Sequence, residues 1–213
     1  MKKLFIIAAM AVAGMTTANA QEFKVGAKAG FLMSNVSIDD YSFTDEGKTT
    51  IAKSNTSFKP GFHFGAFIEY GFNEKIWVEA GVDYAFQGAN LKSIEGTVIN
   101  VSDGSLITSK KDNIKNGWVK TQQFNIPLWV KYDISGFRPK VGVNLGFVSK
   151  AKTKIDTNTT DIELDKKFDA AVGIGAEYNL DMGLFFDANF NLGFTSIGAK
   201  GSNYKSRVIQ IGV

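Results

Sequence analysis

Past residue 20 the chain alternates. From residue 168 the even positions are Phe168, Ala170, Val172, Ile174, Ala176 and Tyr178, while the odd ones are Asp169, Ala171, Gly173, Gly175 and Glu177. After the tetrapeptide 179–182 the parity resumes, with Leu184, Phe186, Ala188, Phe190, Leu192 and Phe194 set against Gly183, Phe185, Asp187, Asn189, Asn191 and Gly193. A period of two places one set on each face of a β-strand. Six further segments behave alike: 23–31, 62–70, 76–86, 124–132, 141–147 and 209–213. Eight strands are expected, each with one apolar face. No apolar run after residue 20 reaches the roughly 18 residues of a spanning helix. A barrel strand crosses a bilayer with only about 9–11 alternating residues.

Residues 1–20 read as a secretion signal. Lys2 and Lys3 precede an apolar run from Leu4 to about Met15, and Ala18-Asn19-Ala20 fits the small-residue cleavage pattern. No cysteine follows, so a lipid-anchored precursor is excluded. Removing Lys2 and Lys3 from the 24 basic residues leaves 22 against 21 acids. The pI of 8.9 therefore gives no argument for nucleic-acid binding. With no Cys and a single His, thiolate and multi-histidine metal sites are excluded.

The connections alternate as the residues do. Those near 71–74, 133–136 and 179–182 are short. Those near 35–59, 88–120, 150–166 and 195–206 are long and polar. An up-and-down antiparallel barrel results, with its long loops at one end and both termini at the other. A soluble barrel would turn the apolar face inward. Two features oppose that arrangement here. The strand glycines at 26, 30, 65, 81, 142, 146, 173, 175, 193 and 212 all share the polar face. Glycine weakens a strand, but in the crowded interior of an eight-stranded barrel it makes room. Tyr70, Tyr132 and Tyr178 each stand on the apolar face directly before a short turn, as half of an aromatic girdle would. The phenylalanines thus face lipid, and the fold class is an all-β, eight-stranded transmembrane barrel.

The inward charges sort by hairpin. The first short turn joins strands carrying Glu69, Glu79 and Asp83. The second carries Lys131, Arg138 and Lys140, the third Asp169, Glu177 and Asp187. The first strand, beside the last, brings Lys24 and Lys28. Acidic and basic hairpins alternate around the ring, which predicts a lumen network of ion pairs and hydrogen bonds. Eight strands leave width only for side chains, so a plug is expected and a wide pore is not.

Chemistry-bearing patterns are weak. Glu79 and Asp83 read as lumen partners before they read as an acid–base pair. His63 has inward parity near Asp83, but no nucleophile stands out beside them. "DTNTTDIELDKK" (156–167) lacks the Gly and the final spaced Glu of a calcium loop. "GVNLGF" and "GIGAEY" continue as strands where a phosphate loop would start a helix. "TVINVSDGSLITS" reads as a hairpin turning at Asp103-Gly104, extending two strands beyond the membrane. No catalytic, cofactor or metal residue is assigned.

"KVGAKAGFLMSNVS", "GFHFGAFIEYGFNEKIWVEAGVDYAFQGA", "FNIPLWVKYDISGFRPKVGVNLGF" and "KSRVIQIGV" resemble the porin-family, PorT-like outer-membrane β-barrel proteins of Gram-negative bacteria. The resemblance covers nearly all of residues 21–213. It implies insertion into the outer membrane by the barrel-assembly machinery and a mostly undefined substrate; some relatives serve secretion or gliding machinery. Members usually close on an aromatic residue, whereas this sequence stops at Val213, which leaves the assembly signal open to truncation or change. Three readings follow. The first is a non-enzymatic barrel acting structurally or presenting its long loops to an extracellular or envelope protein. The second is a transport or secretion accessory. The third is a lipid-modifying barrel enzyme.

Overall fold

The computed structural model describes residues 22–198 and 204–213. Residues 1–20, expected from the sequence to be a secretion signal, lie outside them. The strands are β1 (Glu22–Ile38), β2 (Tyr41–Asp45), β3 (Lys48–Gly71), β4 (Ile76–Asn100), β5 (Leu106–Tyr132), β6 (Phe137–Ile155), β7 (Asn158–Asp161), β8 (Phe168–Asn179), β9 (Phe185–Gly193) and β10 (Tyr204–Gly212). All neighbours are antiparallel, in the order β1-β10-β9-β8-β6-β5-β4-β3, and β1 also pairs with β3, so eight strands close a ring. The backbones of Ala29 and Val213 exchange two hydrogen bonds, of 2.9 and 3.0 Å, at the seam.

The other two strands lie off the ring: β2 pairs only with β3, and β7 only with β6. The connections expected as long polar loops near 35–59 and 88–120 are thus largely strand. β1 runs on to Ile38, β4 to Asn100, and β5 begins at Leu106. The reason is physical. Beyond the membrane both faces of a ribbon meet water, so the sequence loses its apolar parity while its backbone still pairs. The β4–β5 hairpin turns where Asp103-Gly104 was expected to turn it. Gly104 has φ +70°, and the Asp103 carboxylate accepts the Ser105 N–H at 2.9 Å. β4 has 25 residues, a contour of about 80 Å at 3.3 Å per residue, far more than a bilayer crossing needs.

The opposite end is tight. Ser135 (φ 54°) and Gly136 (φ 89°) form a two-residue turn of the primed kind that suits strand twist. The Asp133 carboxylate accepts the Gly136 N–H at 2.9 Å. Partial burial opposes ionisation of Asp133, but that hydrogen bond and the Arg138 guanidinium prevail and hold it below the usual carboxylate range.

Burial is inverted relative to a water-soluble barrel. Phe31 is 80% exposed and Ile174 64%, while Lys131 is 1% exposed. The inner face also holds apolar side chains: Phe67, Trp77, Trp129 and Phe185 share inward parity with the charges and are buried, and Leu32, Ala85 and Val208 form a buried apolar cluster.

Candidate functional site, a charged lumen

Register on the wall places like charges side by side. Glu69 pairs with Glu79 across β3–β4, Lys131 with Lys140 across β5–β6, and Glu177 with Asp187 across β8–β9. Like charges directly opposite destabilise a strand pair. The compensation comes partly from adjoining strands and partly from strands further round the ring. The Lys131 ammonium lies 2.6 Å from Glu79, 2.6 Å from Glu177 and in contact with Glu69. Lys28 donates to Glu79 at 3.0 Å, and Arg138 reaches Glu69 at 3.2 Å and Asp133 at 2.5 Å. Lys140 pairs with Asp187. Some of these pairs are local to the wall, since Glu79 and Lys131 stand on adjoining strands and Arg138 faces Glu177 in register; Arg138–Glu69 spans from β6 to β3 and so favours the curved, closed ring.

Carboxylate oxygens of Glu69, Glu79 and Glu177 lie within 4.8 Å of one another, a spacing that could hold a metal ion. The Lys131 ammonium already sits among them as the cation. With Lys131 in place this cluster is an ion-pair centre and does not fit a metal.

Not every inward charge joins this cluster. Lys24 stands at the rim, its ammonium 3.2 Å from Glu22 and 4.2 Å from the Trp77 ring centre. It lies at the open end of β1, where water is near, and so departs from the expected network. Asp83 and Asp169 also lack the expected cation. Asp83 accepts from the Asn125 amide at 2.6 Å, and Asp169 from the Ser206 hydroxyl at 2.8 Å and the Gln123 amide at 3.4 Å. His63 is buried, and neither ring nitrogen has a hydrogen-bond partner among the described residues, so it forms no dyad with Asp83.

The aromatic rings complete the lumen. Phe67 and Phe185 meet edge to face at 5.4 Å. Arg138 lies 4.5 Å from the Trp77 ring centre and Lys140 4.8 Å from that of Trp129. A side chain on Gly142 or Gly173 would collide with Trp129, and one on Gly26 with Phe67. Gly26, Gly142 and Gly173 thus seat inward rings, while Gly30, Gly65 and Gly146 meet backbone or polar side chains. The signal was present in sequence as aromatic residues sharing the glycines' parity.

Outside, Tyr132 and Tyr178 are exposed and Tyr70 half-buried against Phe72, at the short-turn end. A second band, toward the long hairpins, was not singled out from the sequence. Phe62 stacks on Phe86 at 4.2 Å, Tyr84 meets Phe124 at 4.6 Å, and Phe147 meets Phe168 at 5.2 Å. On β5 the two bands are marked by Phe124 and Tyr132, nine residues inclusive, which matches the length that crosses a bilayer.

Residues 5–213 match the family described as outer membrane protein beta-barrel domain. The chain belongs to that family. Among solved structures, Ail, the attachment invasion locus protein of Yersinia pestis, in complex with the heparin analogue sucrose octasulfate, is similar at 13% identity. That match covers 92% of this chain and 98% of Ail, with a TM-score of 0.42. The outer membrane protein OprG from Pseudomonas aeruginosa is similar at 14% identity, covering 91% of this chain and 93% of OprG, with a TM-score of 0.45. No curated protein matches the chain in sequence. The assignment rests on the family match and on the closed ring of strands, and family membership implies the outer membrane as the location.

Proposed function

We propose that this family member is a non-enzymatic outer-membrane barrel with a plugged lumen, whose long hairpins form a binding platform outside the cell. The observation that carries this reading is the Lys131 cluster. A buried ammonium held by Glu69, Glu79 and Glu177 from three other strands, 5.6 Å from the Phe67 ring centre, stands in the way of a solute entering the lumen. The quoted glycine and aromatic patterns support a place among PorT-like members. The β4–β5 hairpin offers strand edges and polar side chains to an extracellular or envelope protein. Insertion by the barrel-assembly machinery belongs to the same reading.

A small-channel or secretion-accessory role is favoured by one feature. His63, Asn144, Asn189 and Asn191 carry buried polar atoms with no protein partner among the described residues. Water could satisfy them and thread part of the lumen. Planar-bilayer recording of the purified protein separates the two readings. A plugged barrel gives no stable steps of porin size; steady single-channel conductance of that size overturns the plug.

A further inference from the structure

We propose that the outer face of the barrel carries a binding site for a phosphate-bearing amphiphile of the outer leaflet, held by Lys59, Lys120 and Lys150 over Phe62 and Phe86. A recess of about 250 Å³ opens there on the lipid-facing side of β3–β6, and these five residues line it. Lys120 and Lys150 are exposed and Lys59 half-buried. The ammonium of Lys120 lies 4.4 Å, and that of Lys59 5.9 Å, from the centre of one indole, Trp118. Two cations therefore approach the same ring. Among the described residues no carboxylate lies within 4.0 Å of Lys59, Lys120 or Lys150; a fourth lysine of the lining, Lys152, is already paired with Asp161 at 3.3 Å.

Snorkelling explains a lysine at this height. It does not explain three converging on one recess without an acid, an arrangement that repels itself until an anion enters. The height selects the source of that anion. On β5, Lys120 stands four residues beyond Phe124, roughly 13 Å along the strand. That places the ammonium groups at headgroup level and the stacked Phe62–Phe86 pair at the level of the first acyl carbons. A soluble anion would use the cations but gain nothing from the apolar floor. The inference assumes only that the barrel stands in the outer membrane with its long hairpins outward; it holds whether or not the lumen is plugged.

The test uses the full barrel in neutral-detergent micelles, with lipid A carrying both phosphates, the same lipid without phosphate, and inorganic phosphate as probes. The phosphorylated lipid binds, and the combined variant K59Q/K120Q/K150Q loses roughly 100-fold in affinity, as about fivefold per lysine implies. The variant K59R/K120R/K150R retains binding, which separates charge from folding. The control K110Q/K111Q/K115Q, on the projecting hairpin, binds as the unaltered protein does. Equal binding of the two lipids, or an unweakened glutamine variant, overturns the site. Displacement of the lipid by millimolar inorganic phosphate overturns the amphiphile as its occupant.

Discussion

Replacing Lys131 by methionine should cost the barrel about 3–5 kcal/mol, the cost of leaving buried charges without their partner. Lys131 is 1% exposed, and its ammonium is shared by Glu69, Glu79 and Glu177. Methionine keeps the length of the stem and removes the charge. Three carboxylates then face one another with only Lys28 and Arg138 nearby to offset them. The loss is measured as a shift in urea unfolding of the protein in phospholipid vesicles. Combining K131M with E69Q should restore much of it, because one amide replaces one repelling carboxylate while Glu79 keeps Lys28 and Arg138 keeps Asp133 and Glu177. A shift below about 1 kcal/mol, in the range of exposed ion pairs, would show that water reaches the cluster and screens it.

The second large effect is expected outside the wall. Leu128 lies midway on β5 between Phe124 and Tyr132, which mark the two aromatic bands. Its side chain is exposed, pointing away from the lumen. Leu128→Arg places a guanidinium at the bilayer midplane and should destabilise the folded barrel by about 2–4 kcal/mol. The same change at Phe124, near the interface, should cost about 0–1 kcal/mol, since the side chain can reach water there. Comparing the two variants in vesicle unfolding isolates depth from the mere loss of an apolar residue. Equal costs at the two positions would mean that no hydrocarbon layer surrounds this strand.

Why one half of the molecule was legible follows from what each half faces. Between the aromatic bands, lipid lies on one side and the lumen on the other, so parity writes the environment directly into segments such as 124–132 and 168–178. Beyond the bands both sides are wet. There the segment 48–59 alternates nothing, and its pairing with β2 and β4 had no signature in side chains. Within the lumen, sign could be read but reach could not. Lys28 and Lys24 share a strand and a face, yet only Lys28 is deep enough to meet Glu79, while Lys24 ends at the rim beside Glu22. Asp83 and Asp169 looked like ion-pair partners because parity is blind to the amides and hydroxyl of Asn125, Gln123 and Ser206 that take that place. Trp129 and Phe67 needed the register, which shows their rings lying over glycines on adjoining strands.

Neighbouring residues on β5 test which side of the wall meets lipid. Trp129 points into the lumen and Leu128 away from it, at the same depth. In a protein carrying W77F and W118F, Trp129 is the only indole left, since the chain has three Trp. A second protein adds W129F and L128W. Both are placed in bilayers of lipids brominated at mid-chain, and tryptophan emission is compared with that in unbrominated lipid. The expected result is strong quenching for the Leu128→Trp protein and several-fold weaker quenching for Trp129. Stronger quenching of Trp129 would mean that the glycine-bearing, charged face is the one against the acyl chains, and the arrangement described would be inverted.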